Sequence, residues 1–254
     1  MDQVKLCMLF KNLHIKGDPL ILFNIWDAGS AKALQEIGAK VIATSSWSVA
    51  ASHGYDDGEK LSFDWMLANL KRIIAHVNIP VTVDLEGGYG KGQTELQEVI
   101  TKVIEAGAVG INVEDQIIGT NELYSIEDQC RRIKAARDVA EQMKIPIFIN
   151  ARTDIFLKAD LVTHCDNHTQ EAIHRASAYA EAGASGFFVP GLKDVHHIEK
   201  LCVHSPLPIN IMILPDMSSS EKLVELGVAR ISYGPNPYCL AMNALKEAGR
   251  RVLG

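Results

Sequence analysis

The sequence lacks the features that mark membrane-spanning, secreted and nucleic-acid-binding proteins. None of its apolar runs reaches the ~18 residues that a membrane-spanning helix needs. Its first residues lack the basic start and the small-residue cleavage site of a signal peptide. The five cysteines are far apart and include no C-x-x-C pair, which predicts reduced thiols in a cytoplasmic protein. A net charge of −6 carried by dispersed acids leaves no basic surface for nucleic acid or for an anionic membrane.

The regular alternation of short apolar runs with helix-like segments predicts an α/β fold. The chain has 254 residues, and a (β/α)₈ barrel typically needs ~250. The predicted strands cover residues 20–26, 40–46, 81–86, 110–115, 147–152, 186–191, 209–213 and 230–234. The predicted helices among them cover residues 30–37, 62–76, 93–105, 127–142, 169–182, 194–203, 218–226 and 237–251. Eight such units favour one TIM-type barrel domain over residues 1–254. The alternative, a doubly wound sheet, usually has fewer units and a G-x-G-x-x-G motif near its first strand, which this sequence lacks.

Two helices carry apolar faces whose partners the sequence leaves open. Residues 3–14 form an extra N-terminal helix with an apolar face at Leu6, Leu9, Phe10 and Leu13. This helix could close the bottom of the barrel or pack on a partner. The last helix carries a similar stripe that belongs either to the core or to an oligomer contact, at Tyr238, Ala241, Met242, Leu245 and Ala248.

The third predicted strand carries two acids on one face. The run Val81–Gly90 begins as a buried parallel strand and brings Asp84 and Glu86 to the same side, because side chains two residues apart share a face. Glycines follow at once and allow a tight turn. Two carboxylates at such a strand end suit Mg²⁺, although solvated acids or helix caps would give the same local pattern.

The ends of neighbouring strands supply more charged groups, and catalytic residues of such barrels lie at these ends. Asp57 and Glu114 bring the number of crowded carboxylates to four, and crowded carboxylates raise one another's pKa unless a cation such as Mg²⁺ or Mn²⁺ neutralises them. Arg152 suits a substrate carboxylate or phosphonate. The turn Ser45-Ser46-Trp47 can offer backbone N–H groups to an anion. Together these residues predict a metal site beside a pocket for a small anionic acid.

With five strands placed, the sequence resembles the isocitrate lyase/phosphoenolpyruvate mutase superfamily. The resembling segments are Asp27–Ala31, Ser45-Ser46 through Gly54 to Asp57, Asp84–Gly90, Gly110–Gln116 and Ile149–Asp154. The resemblance implies a barrel with a swapped C-terminal helix, assembled as a dimer or tetramer. It also implies Mg²⁺ and a 2-oxo or 2-hydroxy acid substrate, whose C–C or P–C bond is broken or rearranged next to a pyruvate enolate.

The resemblance also assigns roles to individual residues. Asp84 would bind the metal directly, and the residues that hold it through water would be Asp57, Glu86 and Glu114. Arg152 would contact the anionic group that departs or is transferred. The residues whose backbone groups hold the substrate carboxylate would be Ser45, Ser46 and Trp47.

The loop after the fourth strand departs from both branches of the superfamily. Residues 117–125 lack the Lys-Arg-Cys-Gly-His motif of the lyases, which disfavours a cysteine-dependent isocitrate or methylisocitrate lyase. Thr120-Asn121 is similar to part of the phosphonate-processing loop, so Asn121 is a candidate catalytic residue with Asp57 and Arg152. The lysine of that loop is missing, and Pro190 stands where the mutases have a histidine.

These patterns predict a Mg²⁺-dependent lyase or hydrolase that acts on an oxaloacetate- or phosphonopyruvate-like acid. Phosphoenolpyruvate mutase activity is the alternative reaction. A non-catalytic barrel that binds an anion is the alternative from another class.

Overall fold

The strands form one parallel sheet that curves into a barrel. The computed structural model describes residues 2–90, 92–159, 165–214, 217 and 220–254. The eight strands in these ranges are β1 Leu20–Leu22, β2 Ile42–Ala43, β3 Val81–Asp84, β4 Gly110–Glu114, β5 Phe148–Arg152, β6 Gly186–Val189, β7 Ile209–Met212 and β8 Arg230–Ser232. They pair in the order β1-β8-β7-β6-β5-β4-β3-β2. Beyond the two outer strands, Ile25 pairs in parallel with Thr44, which joins the β1 and β2 edges. The predicted TIM-type barrel is therefore confirmed.

Helices separate the successive strands, as the alternation predicts, with one further helix before the first strand and one after the last. Their bounds are α1 Gln3–Asn12, α2 Ala28–Glu36, α3 Ser46–Ser52, α4 Phe63–His76, α5 Gln93–Glu105, α6 Ile126–Gln142, α7 Ile155–Lys158, α8 Asp166–Glu181, α9 Val195–His204, α10 Ser220–Glu225 and α11 Asn236–Leu253. Residues 218 and 219, the expected start of the helix at 218–226, lie outside the described residues. None of the helices in the described ranges combines the length and the apolarity needed to cross a lipid bilayer.

Two short helices, α3 and α7, occupy loops in which the sequence predicts no helix. α3 begins immediately after the second strand, where the Ser45 side chain accepts a hydrogen bond from the Ser48 N–H. A serine that caps a helix in this way satisfies one of its unpaired N–H groups. The residues at 45 and 46 therefore belong to a strand–helix junction, whereas the predicted strand extends to 46.

The N-terminal helix closes the bottom of the barrel, which was one of its two expected roles. Phe10 is fully buried, and its ring centroid lies 5.3 Å from that of Phe148 at the start of β5. Gly110 at the start of β4 makes room for it, because a Cβ atom there would lie 2.5 Å from the Phe10 ring. His14 stacks on Phe148 at 4.0 Å between ring centroids.

The last helix packs little of its surface within the single chain. Pro237 is the one buried residue of α11, and Leu245 is 64% exposed. The stripe on α11 therefore does not belong to the core of this chain. On the barrel wall, Ile21 and Phe23 of the first strand region are 50% and 39% exposed and border an apolar groove of about 560 Å³. Two apolar surfaces thus remain uncovered in the isolated chain.

Candidate active site

A cavity of about 170 Å³ opens at the carboxyl ends of the strands. It brings together six residues that the sequence singled out for the site, namely Ser45, Ser46, Trp47, Asp57, Asp84 and Arg152. The rest of its lining is Asn24, Asn112, Leu157, Phe188, Pro190, Met212, Ser232, Gly234 and Pro235. One wall is therefore acidic and polar, and the other is largely apolar.

Asp84, the last residue of β3, has one oxygen engaged and one free. Its Oδ2 accepts hydrogen bonds from the Ser46 Oγ at 2.9 Å and from the Ser46 N–H at 3.4 Å. The Asp84 N–H donates to Thr44 Oγ1 at 2.9 Å, which holds the backbone in place. Its Oδ1 is buried without a hydrogen-bond partner among the described residues. A buried carboxylate oxygen is costly without a partner, so Asp84 fits the role of a metal ligand.

Glu86 ties together the loops that follow β2 and β3. Its Oε2 accepts from the N–H groups of Gly58 at 2.7 Å and Glu59 at 2.6 Å, and its Oε1 accepts from the Tyr89 hydroxyl at 3.2 Å. Glu59 also links the two loops, because its Oε1 accepts a hydrogen bond from the Tyr89 N–H at 2.8 Å. Glu59, Glu86 and Tyr89 all adopt positive φ values, at 57°, 50° and 55°. Such backbone is strained for side-chain-bearing residues, so the hydrogen bonds between the loops stabilise it.

Arg152, at the end of β5, lies among three carboxylates. Its Nη1 is 2.9 Å from Glu114 Oε2 and 4.0 Å from Asp84 Oδ2. Its Nε and Nη2 pair with the two oxygens of Asp154 at 2.6 and 2.9 Å. Asp154 is in turn oriented by Asp115, whose Oδ1 accepts from the Asp154 N–H at 3.0 Å. The arginine is therefore positioned before any substrate enters, and its charge is already balanced by acids.

Burial and mutual repulsion shift the pKa values of the acids upward. Burial raises the pKa of Glu86 to about 7, with further contributions from the negative charges of Asp57 and Asp84. Burial also raises the pKa of Glu114 well above its usual range, against the opposing effect of Arg152. The pKa of Asp57 is raised by burial and then by Asp84. A cation at this site would therefore compete with protons, since each proton neutralises an acid that a cation would otherwise pair with.

The four predicted metal residues do not all face one point. In the ranges that the structure describes, no group of three or more His, Cys, Asp or Glu side chains lies close enough to hold a metal ion directly. Asp84 and Asp57 line the cavity, whereas Glu86 and Glu114 do not. This arrangement fits Mg²⁺ held by one or two carboxylates, because Mg²⁺ commonly keeps several of its waters.

The predicted anion-binding turn is only partly free to bind an anion. The Ser45 N–H donates to the Ile25 carbonyl at 3.0 Å as part of the bridge between the β1 and β2 edges. It is therefore not available to a substrate, and the expectation that Ser45 offers this N–H is corrected. The Ser46 N–H is directed to Asp84. Trp47 is 39% exposed at the cavity edge, near Tyr238.

Asn121 lies away from the cavity. It is exposed in a turn of the loop after β4, where the Ile117 N–H donates to the Glu122 carbonyl at 3.0 Å. It does not line the cavity. Its catalytic role stays a prediction that would require this loop to move.

Sequence reasoning missed the asparagine at the base of the cavity, Asn112. Asparagine is depleted in strands, yet four predicted strands carry one between apolar neighbours, at Asn24, Asn112, Asn150 and Asn210. Apolar, branched residues usually fill the interior of a TIM barrel. These four asparagines were therefore a usable signal for a polar barrel interior.

The fold and the site define a TIM-type barrel with an acidic centre at the carboxyl ends of its strands. The family model described as phosphoenolpyruvate phosphomutase matches residues 10–253. The chain therefore belongs to this family, within the isocitrate lyase/phosphoenolpyruvate mutase superfamily of lyases and mutases.

Three relatives show how closely the chain matches known members. A crystal structure of a candidate phosphonomutase from Burkholderia cenocepacia superposes with a TM-score of 0.96 at 44% identity, covering 100% of both chains. An uncharacterised protein of Mycobacterium tuberculosis is 35% identical over 246 residues, which are 96% of this chain and 89% of that protein. An oxaloacetate decarboxylase of Pseudomonas entomophila is 26% identical over 254 residues, covering 96% of this chain and 84% of the relative.

Proposed function

We propose that this protein is a Mg²⁺-dependent enzyme that cleaves the C–C or P–C bond of a small 2-oxo acid similar to oxaloacetate or phosphonopyruvate. The observation that carries the proposal is the pairing, in one cavity, of the free oxygen of Asp84 with the guanidinium of Arg152. A cation at Asp84 and an arginine beside it suit a substrate with two neighbouring oxygen-bearing groups.

The size of the cavity supports a substrate of few atoms. Its volume of about 170 Å³ is smaller than the roughly 300–1,000 Å³ of pockets for drug-sized ligands. The relatives that act on oxaloacetate or are named for phosphonate chemistry are compatible with such a substrate. They support both C–C and P–C chemistry, so the proposal includes both carbon and phosphorus as the atom bonded to the pyruvyl carbon.

Under this proposal, different residues would bind the metal, contact the substrate and transfer a proton. Asp84 would hold Mg²⁺ directly, and Asp57, Glu86 and Glu114 would hold it through water. When bound, Mg²⁺ would stabilise negative charge on a substrate oxygen as the neighbouring bond breaks. Arg152 would contact the departing anionic group. Asp57 lines the cavity, where its carboxylate would be placed to exchange a proton with the substrate.

Phosphoenolpyruvate mutase activity is the alternative reaction, favoured by the family model that matches the chain. Pro190 in the cavity wall disfavours it, because proline offers no side-chain group that could bind a phosphonate. Phosphorus-31 spectra after incubation with phosphonopyruvate separate the reactions. Phosphoenolpyruvate would indicate the mutase, free phosphate a hydrolase, and no change a carbon substrate.

The decisive experiment combines a substrate screen with metal binding to an Asp84→Ala variant. We expect a screen of 2-oxo and 2-hydroxy dicarboxylates and phosphonates with Mg²⁺ to release pyruvate. Asp84→Ala should lose both turnover and Mg²⁺ binding by calorimetry, and Asp64→Ala on the exposed side of α4 should keep both. Unchanged Mg²⁺ affinity in Asp84→Ala would rule out the metal site. No turnover by the wild-type protein on any substrate would favour a non-catalytic, anion-binding barrel.

We also propose that the protein is a homo-oligomer, a dimer or tetramer, in which α11 of one copy covers the barrel wall of another. The support is the pair of uncovered apolar surfaces. The exposed side of α11 includes Leu240 and Leu245, and the groove beside β1 includes Ile15, Ile21 and Ile37. Exposed apolar patches of this kind commonly mark protein–protein contacts.

A further inference from the structure

The middle of the barrel holds a layer of polar side chains. Asn112 of β4, Asn150 of β5 and Asn210 of β7 are each at most 5% exposed, and Arg230 of β8 is 1% exposed. β4 and β8 are four strands apart in the eight-stranded order, so Arg230 reaches across the barrel to Asn112. Buried polar groups usually have partners, although the Arg230 Nε and Nη1 and the Asn150 Oδ1 have none among the described residues. The hydrogen bonds that do form link the members of this layer to one another.

Arg230 determines which way the Asn112 amide faces. Its Nη2 donates to the Asn112 Oδ1 at 3.3 Å. A guanidinium has donors and no acceptor, so it must face the oxygen of the amide and never the nitrogen. The Asn150 Nδ2 donates to the same oxygen at 2.9 Å. Two donors therefore converge on Asn112 Oδ1, which leaves the Asn112 Nδ2 on the other side of the amide.

The Asn112 Nδ2 has no acceptor among the residues that the structure describes. It forms no hydrogen bond to another residue in the described ranges, and its side chain lines the cavity. Asn112 is the register partner of Asp84 on the neighbouring strand. This N–H group is open to the cavity, so water or a ligand oxygen can accept its hydrogen bond. An acceptor bound there would share the cavity with Asp84.

We infer that the Asn112 Nδ2 binds an oxygen of the substrate beside Asp84, and that Arg230 acts as a positioning residue by holding the amide in this direction. The inference rests on the proposed function and specifies its substrate class. The bound group must accept a hydrogen bond, as the oxygen of a 2-oxo acid does. A 2-amino acid would place an ammonium group, which has only donors, against this N–H. At the position that this N–H reaches, the site therefore favours an oxygen over an ammonium group.

Calorimetric titration of oxalate into the Mg²⁺-saturated protein tests the inference. Oxalate presents two planar, oxygen-bearing groups like those of a 2-oxo acid. We expect Asn112→Ala to weaken oxalate binding about 10- to 100-fold, since a hydrogen bond to a charged group is lost. The affinity for Mg²⁺ alone should stay unchanged. Gln129→Leu, which removes a buried amide of α6 outside the cavity, should change neither affinity.

Asn112→Asp is a second variant that tests the inference even if Asn112→Ala does not fold. The aspartate keeps the shape of the side chain and offers Arg230 a carboxylate, but it has no N–H to donate. We expect oxalate binding to weaken at least as much as in Asn112→Ala, with Mg²⁺ binding retained. Arg230→Met should also weaken oxalate binding, although Arg230 does not line the cavity, and Arg230→Lys should restore part of it.

The outcomes separate the inference from the proposed function. Oxalate binding that is equal in wild type, Asn112→Ala and Asn112→Asp would overturn the inference and leave the proposed function intact. Parallel losses of Mg²⁺ and oxalate affinity would assign Asn112 a structural role only, which also overturns the inference. Failure of the wild-type protein to bind oxalate with Mg²⁺ would overturn both.

Discussion

Arg152 and Asp154 form a two-point ion pair, with Nε 2.6 Å from Oδ1 and Nη2 2.9 Å from Oδ2. The two residues are two positions apart in the sequence, and both are largely buried at the end of β5. The pair turns the remaining nitrogen, Nη1, toward Glu114 and Asp84. Asp154 therefore determines which nitrogen of the Arg152 guanidinium faces Glu114 and Asp84.

We expect Asp154→Asn to weaken this arrangement. The free energy of unfolding should fall by about 2 kcal/mol, because a buried cation loses one charged partner while the amide keeps part of the hydrogen bonding. Urea denaturation measures this change. Asp138→Asn, which removes an exposed ion pair with Lys134 on α6, should change stability far less. An Asp154→Asn protein as stable as wild type, with equal affinity for oxalate, would contradict this role.

Glu59 should control the metal site without touching the metal. We expect Glu59→Ala to lower Mg²⁺ affinity about tenfold or more, because the Tyr89 N–H loses its acceptor and the loop that carries Glu86 loses one of its ties. Glu59→Gln keeps an acceptor oxygen and should retain most of the affinity. Glu98→Ala, an exposed glutamate on α5, is the control. Equal Mg²⁺ affinity in Glu59→Ala, measured by calorimetry, would show that the tie is dispensable.

His14 should make the fold sensitive to mild acid. Burial lowers the pKa of His14 from 6.5 to about 3, aided by the positive charge of Arg230. Below pH 6.5 the unfolded chain takes up a proton that the folded chain refuses, so stability falls as the pH falls. We expect the protonation of His14 in the unfolded chain to lower the free energy of unfolding by about 1 kcal/mol between pH 7 and pH 5.5.

Denaturation at the two pH values tests this expectation. His14→Phe keeps a ring against Phe148 and should reduce the loss of stability on acidification. His76→Asn, at an exposed position near the end of α4, should leave the loss in place. A loss in His14→Phe as large as that in the wild-type protein would assign the acid sensitivity to other groups.

The apolar stripe on α11 should be needed for assembly. We expect Leu245→Asp to shift the protein from a dimer or tetramer toward the monomer in light scattering, because a charge cannot be buried against the groove beside β1 without a partner. Lys246→Glu alters charge at the next position of the same helix and should preserve assembly. A wild-type protein that is monomeric at all concentrations would contradict the proposed oligomer.

The sequence by itself determined the barrel and the acids at its strand ends. The reason is local: a strand pattern brings Asp84 and Glu86 to one face, and regular turns repeat after each helix. It also determined that Asp57 and Arg152 would lie near Asp84, since the carboxyl ends of parallel strands meet at one end of the barrel.

Only the tertiary structure decided how these groups pair. Asp154 orients Arg152 through their ion pair. The Ile25 carbonyl accepts the hydrogen bond of the Ser45 N–H. Arg230 donates to the Asn112 Oδ1 and so determines the direction of that amide. The contacts of Ser45 and Asn112 join residues that are far apart in sequence, and the direction of Arg152 depends on Glu114 and Asp84 of other strands as well as on Asp154. The direction of the Asn112 amide shows this most clearly, because a donor-only guanidinium 118 residues away sets it from the opposite wall of the barrel.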